Sequence, residues 1–114
     1  MVTQDAEDCN AVRLVGRVSS APAAKELPSG DVVWLFRLVV RRPEGHVSRQ
    51  SVDVLECSVW VPRLQRTMSA WREGDQVEVE GAVRRRFYRA GQATASRVEV
   101  EVTRGRLRRR ADAA

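Results

Sequence analysis

Apolar and polar residues alternate over residues 10–19, with Val12, Leu14, Gly16 and Val18 on one face and Arg13 and Arg17 on the other. A period of two is the repeat of a strand, because successive side chains point to opposite sides of the sheet. Residues 20–31 hold Pro22, Pro28 and Ser29-Gly30-Asp31, a composition that predicts a loop. Residues 32–41 are apolar on both faces: Val32, Trp34, Phe36, Leu38 and Val40 on one, Val33, Leu35 and Val39 with Arg37 and Arg41 on the other. Such a strand packs on a core and on a second surface, often a subunit. Residues 42–50, with His46 among them, form a polar hairpin tip. A third strand is predicted over residues 51–61, with Leu55, Cys57 and Val59 inward and Glu56, Ser58 and Trp60 on the other face. Pro62 suits the first position of a helix. Leu64, Met68 and Trp71 then recur at helical spacing, and Gly74 is a natural stop. From residue 75 to 88 the period of two returns. Val77, Val79, Gly81 and Val83 point inward, and Glu78, Glu80, Arg84, Arg86 and Tyr88 outward. Phe87 shares the inward parity and is read as core, or as a cover over the barrel mouth. Residues 89–95 predict a loop around Gly91. Val98, Val100 and Val102 mark a fifth strand, with Arg97, Glu99 and Glu101 facing away.

The element order is β-β-β-α-β-β. It predicts an all-β chain: a five-stranded OB-fold barrel with one helix between strands 3 and 4. A closed barrel also removes exposed sheet edges, which matters in a chain this rich in valine. The expected organisation is a flexible N-terminal arm over residues 1–9, the barrel domain over 10–103 and a basic C-terminal tail over 104–114.

Charge sharpens this picture. The chain has 114 residues, 20 basic and 15 acidic, and a net charge of +5. Residues 1–80 carry 10 basic and 12 acidic side chains, whereas residues 81–114 carry 10 basic and 3 acidic. The positive excess therefore begins in the fourth strand, at Arg84-Arg85-Arg86. A basic cluster is an electrostatic footprint for a polyanion. All but Lys25 of the basic residues are arginine, which pairs bidentately with phosphate and stacks on bases. A GC-rich genome accounts for that usage equally well. No apolar run is long enough for a membrane span. The polar, acidic start MVTQDAEDC does not read as a signal or transit peptide, and two cysteines make no disulfide framework. The expected setting is a reducing cytoplasm.

Candidate chemistry follows from parity. Trp60 lies on the polar face of its strand, where an indole either stacks on a ligand base or packs against a neighbouring loop or subunit. Tyr88 shares a face with Arg84 and Arg86, which sets a ring beside two guanidinium groups; the other reading is a strand-end tyrosine that anchors a loop. Arg84, Arg86, Arg37 and Arg13 occupy outward strand positions and are the phosphate-binding candidates. Trp34, Phe36 and Trp71 are assigned to packing, and Cys57 to the core. Enzymatic readings find no support: Cys9, Cys57 and His46 match no metal-ligand spacing, and no phosphate loop, dinucleotide fingerprint or nucleophile elbow is present. Neither a cofactor, a metal nor a catalytic residue is expected.

Several segments, taken together, resemble a known family. Asn10-Ala-Val-Arg-Leu-Val-Gly-Arg17, then Pro22, Pro28-Ser-Gly30 and Phe36-Arg-Leu38, is similar to the opening of bacterial single-stranded DNA-binding proteins. Cys57-Ser-Val-Trp60 resembles the third strand of their actinobacterial members. Glu73-Gly-Asp-Gln-Val-Glu-Val-Glu-Gly81 with Arg84-Arg-Arg86 resembles their fourth strand. The resemblance implies an OB-fold homo-oligomer, a homotetramer or dimer, that binds single-stranded DNA without strong sequence preference. It implies protection of strands in replication, repair and recombination. It places Trp60 and Tyr88 where the family has base-stacking aromatics. The chain departs from the pattern at Val54, where an aromatic is expected, and in the aromatic-free hairpin from Arg41 to Gln50. It also departs at the basic end Arg108-Arg-Arg-Ala-Asp-Ala-Ala114, so protein partners recruited through an acidic tail tip are not expected. Two other readings stay open: an OB-fold protein-interaction or primosome-type accessory module, and a single-stranded RNA binder.

Overall fold

The computed structural model describes residues 7–45, 47 and 49–111. His46, assigned to the hairpin tip, lies outside the described residues. Five strands and one helix run in the order β1 (Val12–Glu26), β2 (Val32–Arg41), β3 (Val52–Val59), α1 (Pro62–Met68), β4 (Gln76–Ala90) and β5 (Ala93–Arg109). The strands close into a barrel in the order β1-β2-β3-β5-β4. Every neighbouring pair is antiparallel except β3 and β5, which are parallel and joined through only Cys57↔Val100 and Ser58↔Glu101. This is the five-stranded OB architecture with its helix between β3 and β4, as the element order predicts.

The inward face of each strand builds one core. Val18, Phe36, Leu38, Cys57, Val59, Met68, Trp71, Val77, Val79, Val100 and Val102 form a single buried cluster. Trp71 meets Phe36 edge to face, with ring centroids 5.7 Å apart, a favoured aromatic geometry. Burial pushes the Cys57 thiol up to about 12, with Glu56 and Glu99 adding to the effect. It is therefore a buried apolar group rather than a nucleophile. Closure demands close backbone approach at two points. A Cβ on Gly16 would run into the Val39 carbonyl, and one on Gly81 into the Glu101 carbonyl.

β2 has the expected bounds, because β-branched and aromatic residues on both faces leave no ambiguity. β3 is shorter than the expected 51–61, ending at Val59, whereas β1, β4 and β5 outrun the alternation. β1 continues through residues 20–26, which read as loop from sequence. It pairs with β4 through Val12–Arg17 and with β2 from Arg17 to Glu26, with register shifts between Val18 and Ala23. Pro22, which has no N–H to donate, lies in this irregular stretch. The loop expected over 89–95 is a tight turn at Gly91, where φ is +66°; β4 and β5 pair out to Ala90↔Ala93.

β5 also runs six residues past 103. The register changes from Gly81↔Val102 to Glu80↔Arg104, so Thr103 is an extra residue on β5. A bulge of this kind shifts the alternation by one. Leu107 then packs against the core, while Arg104, Arg106 and Arg108 face out. The arginine-rich segment read as a tail is thus largely strand.

The helix is shorter than its spacing suggests. It stops at Met68, and Trp71 reaches the core from the turn beyond it. The Asp75 carboxylate accepts a hydrogen bond from the Arg72 N–H, and Gly74 turns the chain at φ +90°. The backbones of Val18, Gly74 and Asp75 then bond directly, leading the chain into β4.

Candidate nucleic-acid interface

The β4–β5 ribbon extends beyond the barrel mouth, and its outer part flanks a groove. The groove has a volume of about 400 Å³. Lys25 and Leu27 line one side, Val33 and Leu35 of β2 the floor, and Trp60, Arg86, Phe87, Tyr88, Arg97 and Glu99 the remainder. Aliphatic and aromatic surface thus alternates with three cations against one carboxylate, a combination suited to bases joined by phosphates.

Three of the sequence-selected residues meet here. Trp60 follows β3 directly, and its ring lies under the Arg86 guanidinium, with Cζ 5.1 Å from the ring centroid. Tyr88 is two residues further along β4, on the Arg86 face, and 48% exposed. Arg86 and Arg97 stand directly opposite each other in register, an arrangement that repels unless an anion intervenes. Glu99 supplies it. Its carboxylate accepts from Arg86 Nε at 3.2 Å, lies 3.9 Å from Arg97 Nε and accepts the Ser58 hydroxyl hydrogen bond. Glu99 is only 5% exposed, so its carboxylate meets these partners in place of water.

The other phosphate candidates lie apart. Arg84, two residues before Arg86 and outside the groove lining, donates to Glu101 at 2.8 Å. Arg37, on the outer face of β2, is bonded to Glu56 at 2.6 Å. Arg13 sits towards the opposite end of β4, where it bonds Glu78 at 2.8 Å together with Arg106 and Arg108. Hydrogen bonds from Arg13 and Arg106 hold the Glu78 carboxyl below its ordinary range, outweighing the effect of burial. All four candidates are therefore paired with carboxylates across strands, which parity alone does not reveal.

A family model described as the Single-strand binding protein family matches residues 9–109. The chain belongs to the single-strand binding protein family. Single-stranded DNA-binding protein 3 of Listeria innocua is 32% identical over 80 residues, covering 69% of this chain and 50% of the relative. The single-stranded DNA-binding protein of Halalkalibacterium halodurans is 30% identical, covering 69% and 48%. The chain thus spans about half the length of the curated relatives it matches. Among solved structures, a chain of the Plasmodium falciparum SSB complex with ssDNA superposes with a TM-score of 0.68. It is 23% identical, with 89% of this chain and 94% of that chain covered. That likeness shows the fold.

In this family member the groove also contains residues that parity did not select. Phe87, read as core or as a cover over the barrel mouth, is 69% exposed and so is not core. Its inward parity holds, but the ribbon has left the barrel by that point and there is no core for it to face. Lys25 and Leu27 arrive through the unforeseen extension of β1. Their one sequence signal was Leu27, an apolar residue isolated in a polar stretch. Leu35 could have been found as one of the second-face apolar residues of β2. Among the described residues no cluster of His, Cys, Asp and Glu suited to a metal ion occurs, and no helix is long and apolar enough to cross a membrane.

Proposed function

We propose that this domain binds single-stranded DNA without sequence preference, as a binding protein rather than an enzyme. The observation that carries the reading is the convergence of Trp60, Tyr88, Phe87 and Arg86 on one open groove floored by Val33 and Leu35. Flat rings take any base, because every base has a π-face, and fixed cations take the phosphates between them. Family membership and the names of the matched relatives support the same ligand. In this reading the domain covers exposed strands during replication, repair and recombination, in the cytoplasm at the nucleoid. It works as a homo-oligomer, a homotetramer or dimer. Trp60 and Tyr88 stack on bases. Arg86 and Arg84 meet the adjoining phosphates and Arg37 extends the path over the barrel, whereas Arg13 is engaged with Glu78 at the other end.

The test is a titration with oligo(dT), followed by tryptophan fluorescence at low and high salt. Quenching with an affinity that falls steeply as salt rises is the expected result, because phosphate contacts release counterions. No quenching and no salt-sensitive binding overturns the reading. Competition with oligo(U) of equal length reports whether the sugar matters.

A further inference from the structure

We infer that Arg86 is the resting occupant of the stacking face of Trp60, and that a single strand must displace it to bind. Glu99 and Glu101 act as positioning residues that hold Arg86 there in the free protein. A phosphate of the incoming strand replaces them as the guanidinium's partner while a base takes its place on the indole. This deepens the single-strand reading and rests on it.

Three observations carry the inference. First, the guanidinium lies 5.1 Å from the Trp60 ring centroid, the position a stacked base would need. Second, Arg86 is held more loosely than its neighbour. Its bonds to Glu99 and Glu101 are 3.2 and 3.4 Å long, against 2.8 Å for Arg84 to Glu101. Charge-assisted bonds of full strength run at about 2.7–2.9 Å. Both of its carboxylates already serve others: Glu99 accepts from Ser58, and Glu101 from Arg84. Third, the resting pose leaves the Trp60 Nε1–H buried and without a hydrogen-bond partner among the described residues. No hydrogen bond therefore pins the indole in this pose. Arg86 and Trp60 thus form an element with two arrangements, and a ligand that supplies both a phosphate and a ring favours the second.

The experiment compares wild type with Glu101→Gln, whose side chain is partly exposed, and with Glu80→Gln. The second variant makes the same charge change on the same strand pair, away from Arg86. We expect Glu101→Gln to bind oligo(dT) roughly three- to tenfold tighter, with a log–log salt slope steeper by about 0.7. Glu80→Gln is expected to bind as wild type. In a Trp60→Ala background most of the gain from Glu101→Gln should vanish, because the face that Arg86 vacates is gone, and the remainder is the share of Arg84, which Glu101 also holds. Equal gains in the two glutamine variants, or a gain that survives Trp60→Ala in full, overturns the inference in favour of bulk electrostatics.

A second measurement needs no variant. The Arg86 Hε resonance should be shifted upfield by the indole in free wild type and should return downfield on saturation with oligo(dT). A wild type that binds oligo(dT) with the Arg86 signal unmoved overturns the displacement alone. A wild type that shows the upfield signal and binds no oligo(dT) overturns the single-strand reading, and the displacement with it.

Discussion

The two ends of the β4–β5 ribbon use the same residue type for opposite purposes. At the barrel end, Arg13, Arg106 and Arg108 converge on Glu78, which is 8% exposed. Arg110 there reaches fully buried Asp75 at 2.8 Å and the Ala70 carbonyl at 2.9 Å. These arginines surround acids that the fold has buried, and Leu107 packs between them on the core side. At the outer end, Arg86 and Arg97 share Glu99 with a serine, and Arg84 and Arg86 share Glu101, beside a groove where Phe87 and Tyr88 stay exposed. A count of arginines treats the two ends alike. What separates them is not the number of carboxylates within reach but whether aromatic surface is left exposed beside the charges. Charge density by itself is therefore a poor locator of a polyanion site, and the pairing of charge with exposed aromatic surface is a better one.

The largest effect that tests this contrast is on stability. Asp75 accepts from the backbone N–H groups of Arg72 and Ala111 and from Arg110. Replacing it by alanine leaves buried donors unpaired. The expected loss is about 3 kcal/mol, read as a Tm lower by more than ten degrees for a domain of about this size. Oligo(dT) affinity measured below the transition should be unchanged. Weaker binding there would erase the functional boundary between the two ends.

The same acid end sets a pH dependence. Burial alone would raise the Asp75 pKa, but the hydrogen bonds from Ala111, Arg72 and Arg110 outweigh it and hold the carboxyl below its ordinary range. Glu78 is held low as well. A carboxyl with a depressed folded-state pKa contributes stability that is present above its unfolded value, near 4, and is lost as pH falls through the folded one. Thermal melts should therefore be flat at neutral pH and fall below about pH 4. In Asp75→Ala that acid-dependent fall should be shallower.

At the outer end the order of effects reverses. Trp60→Ala should cost about 2 kcal/mol of binding, roughly thirtyfold in Kd, with Tm little changed. Unchanged affinity would assign Trp60 to packing. The smallest expected effect is that of Arg106→Gln. Its side chain is 71% exposed, and Glu78 keeps Arg13 and Arg108. Tm and oligo(dT) affinity should both stay close to wild type, and a clear loss of affinity would extend the interface along the whole ribbon.

Much of this was legible in the order of residues. Strand alternation and a proline-led helix identify the barrel, and parity alone puts Trp60 and Tyr88 outside it with Arg84 and Arg86. Three things were not legible, each for a physical reason. Parity says which way a side chain points but not where the barrel stops, so Phe87 looked like core. A bulge breaks the alternation it is read from, so Thr103 hid the rest of β5 and made Arg104 to Arg109 look like a tail. Cross-strand partners depend on register, so the glutamates that neutralise Arg13, Arg37, Arg84 and Arg86 could not be assigned. The helix ends at Met68 in tightened turns, the Ala70 and Trp71 N–H groups bonding the Thr67 and Met68 carbonyls, a change that periodicity does not encode.

The parallel joint between β3 and β5 has one more consequence, for the time-dependence of the molecule. It closes the barrel with two residue pairs, whereas every other joint has a longer antiparallel ladder. A short ladder opens with few bonds broken. The barrel therefore opens most readily at the seam that carries Ser58, Glu99 and Glu101. Backbone amides along this seam should exchange with solvent sooner than those of the β1–β2 ladder. A strand lying across Trp60 and Arg86 would bridge both lips of the seam and slow that exchange, so occupancy of the groove and closure of the barrel reinforce each other.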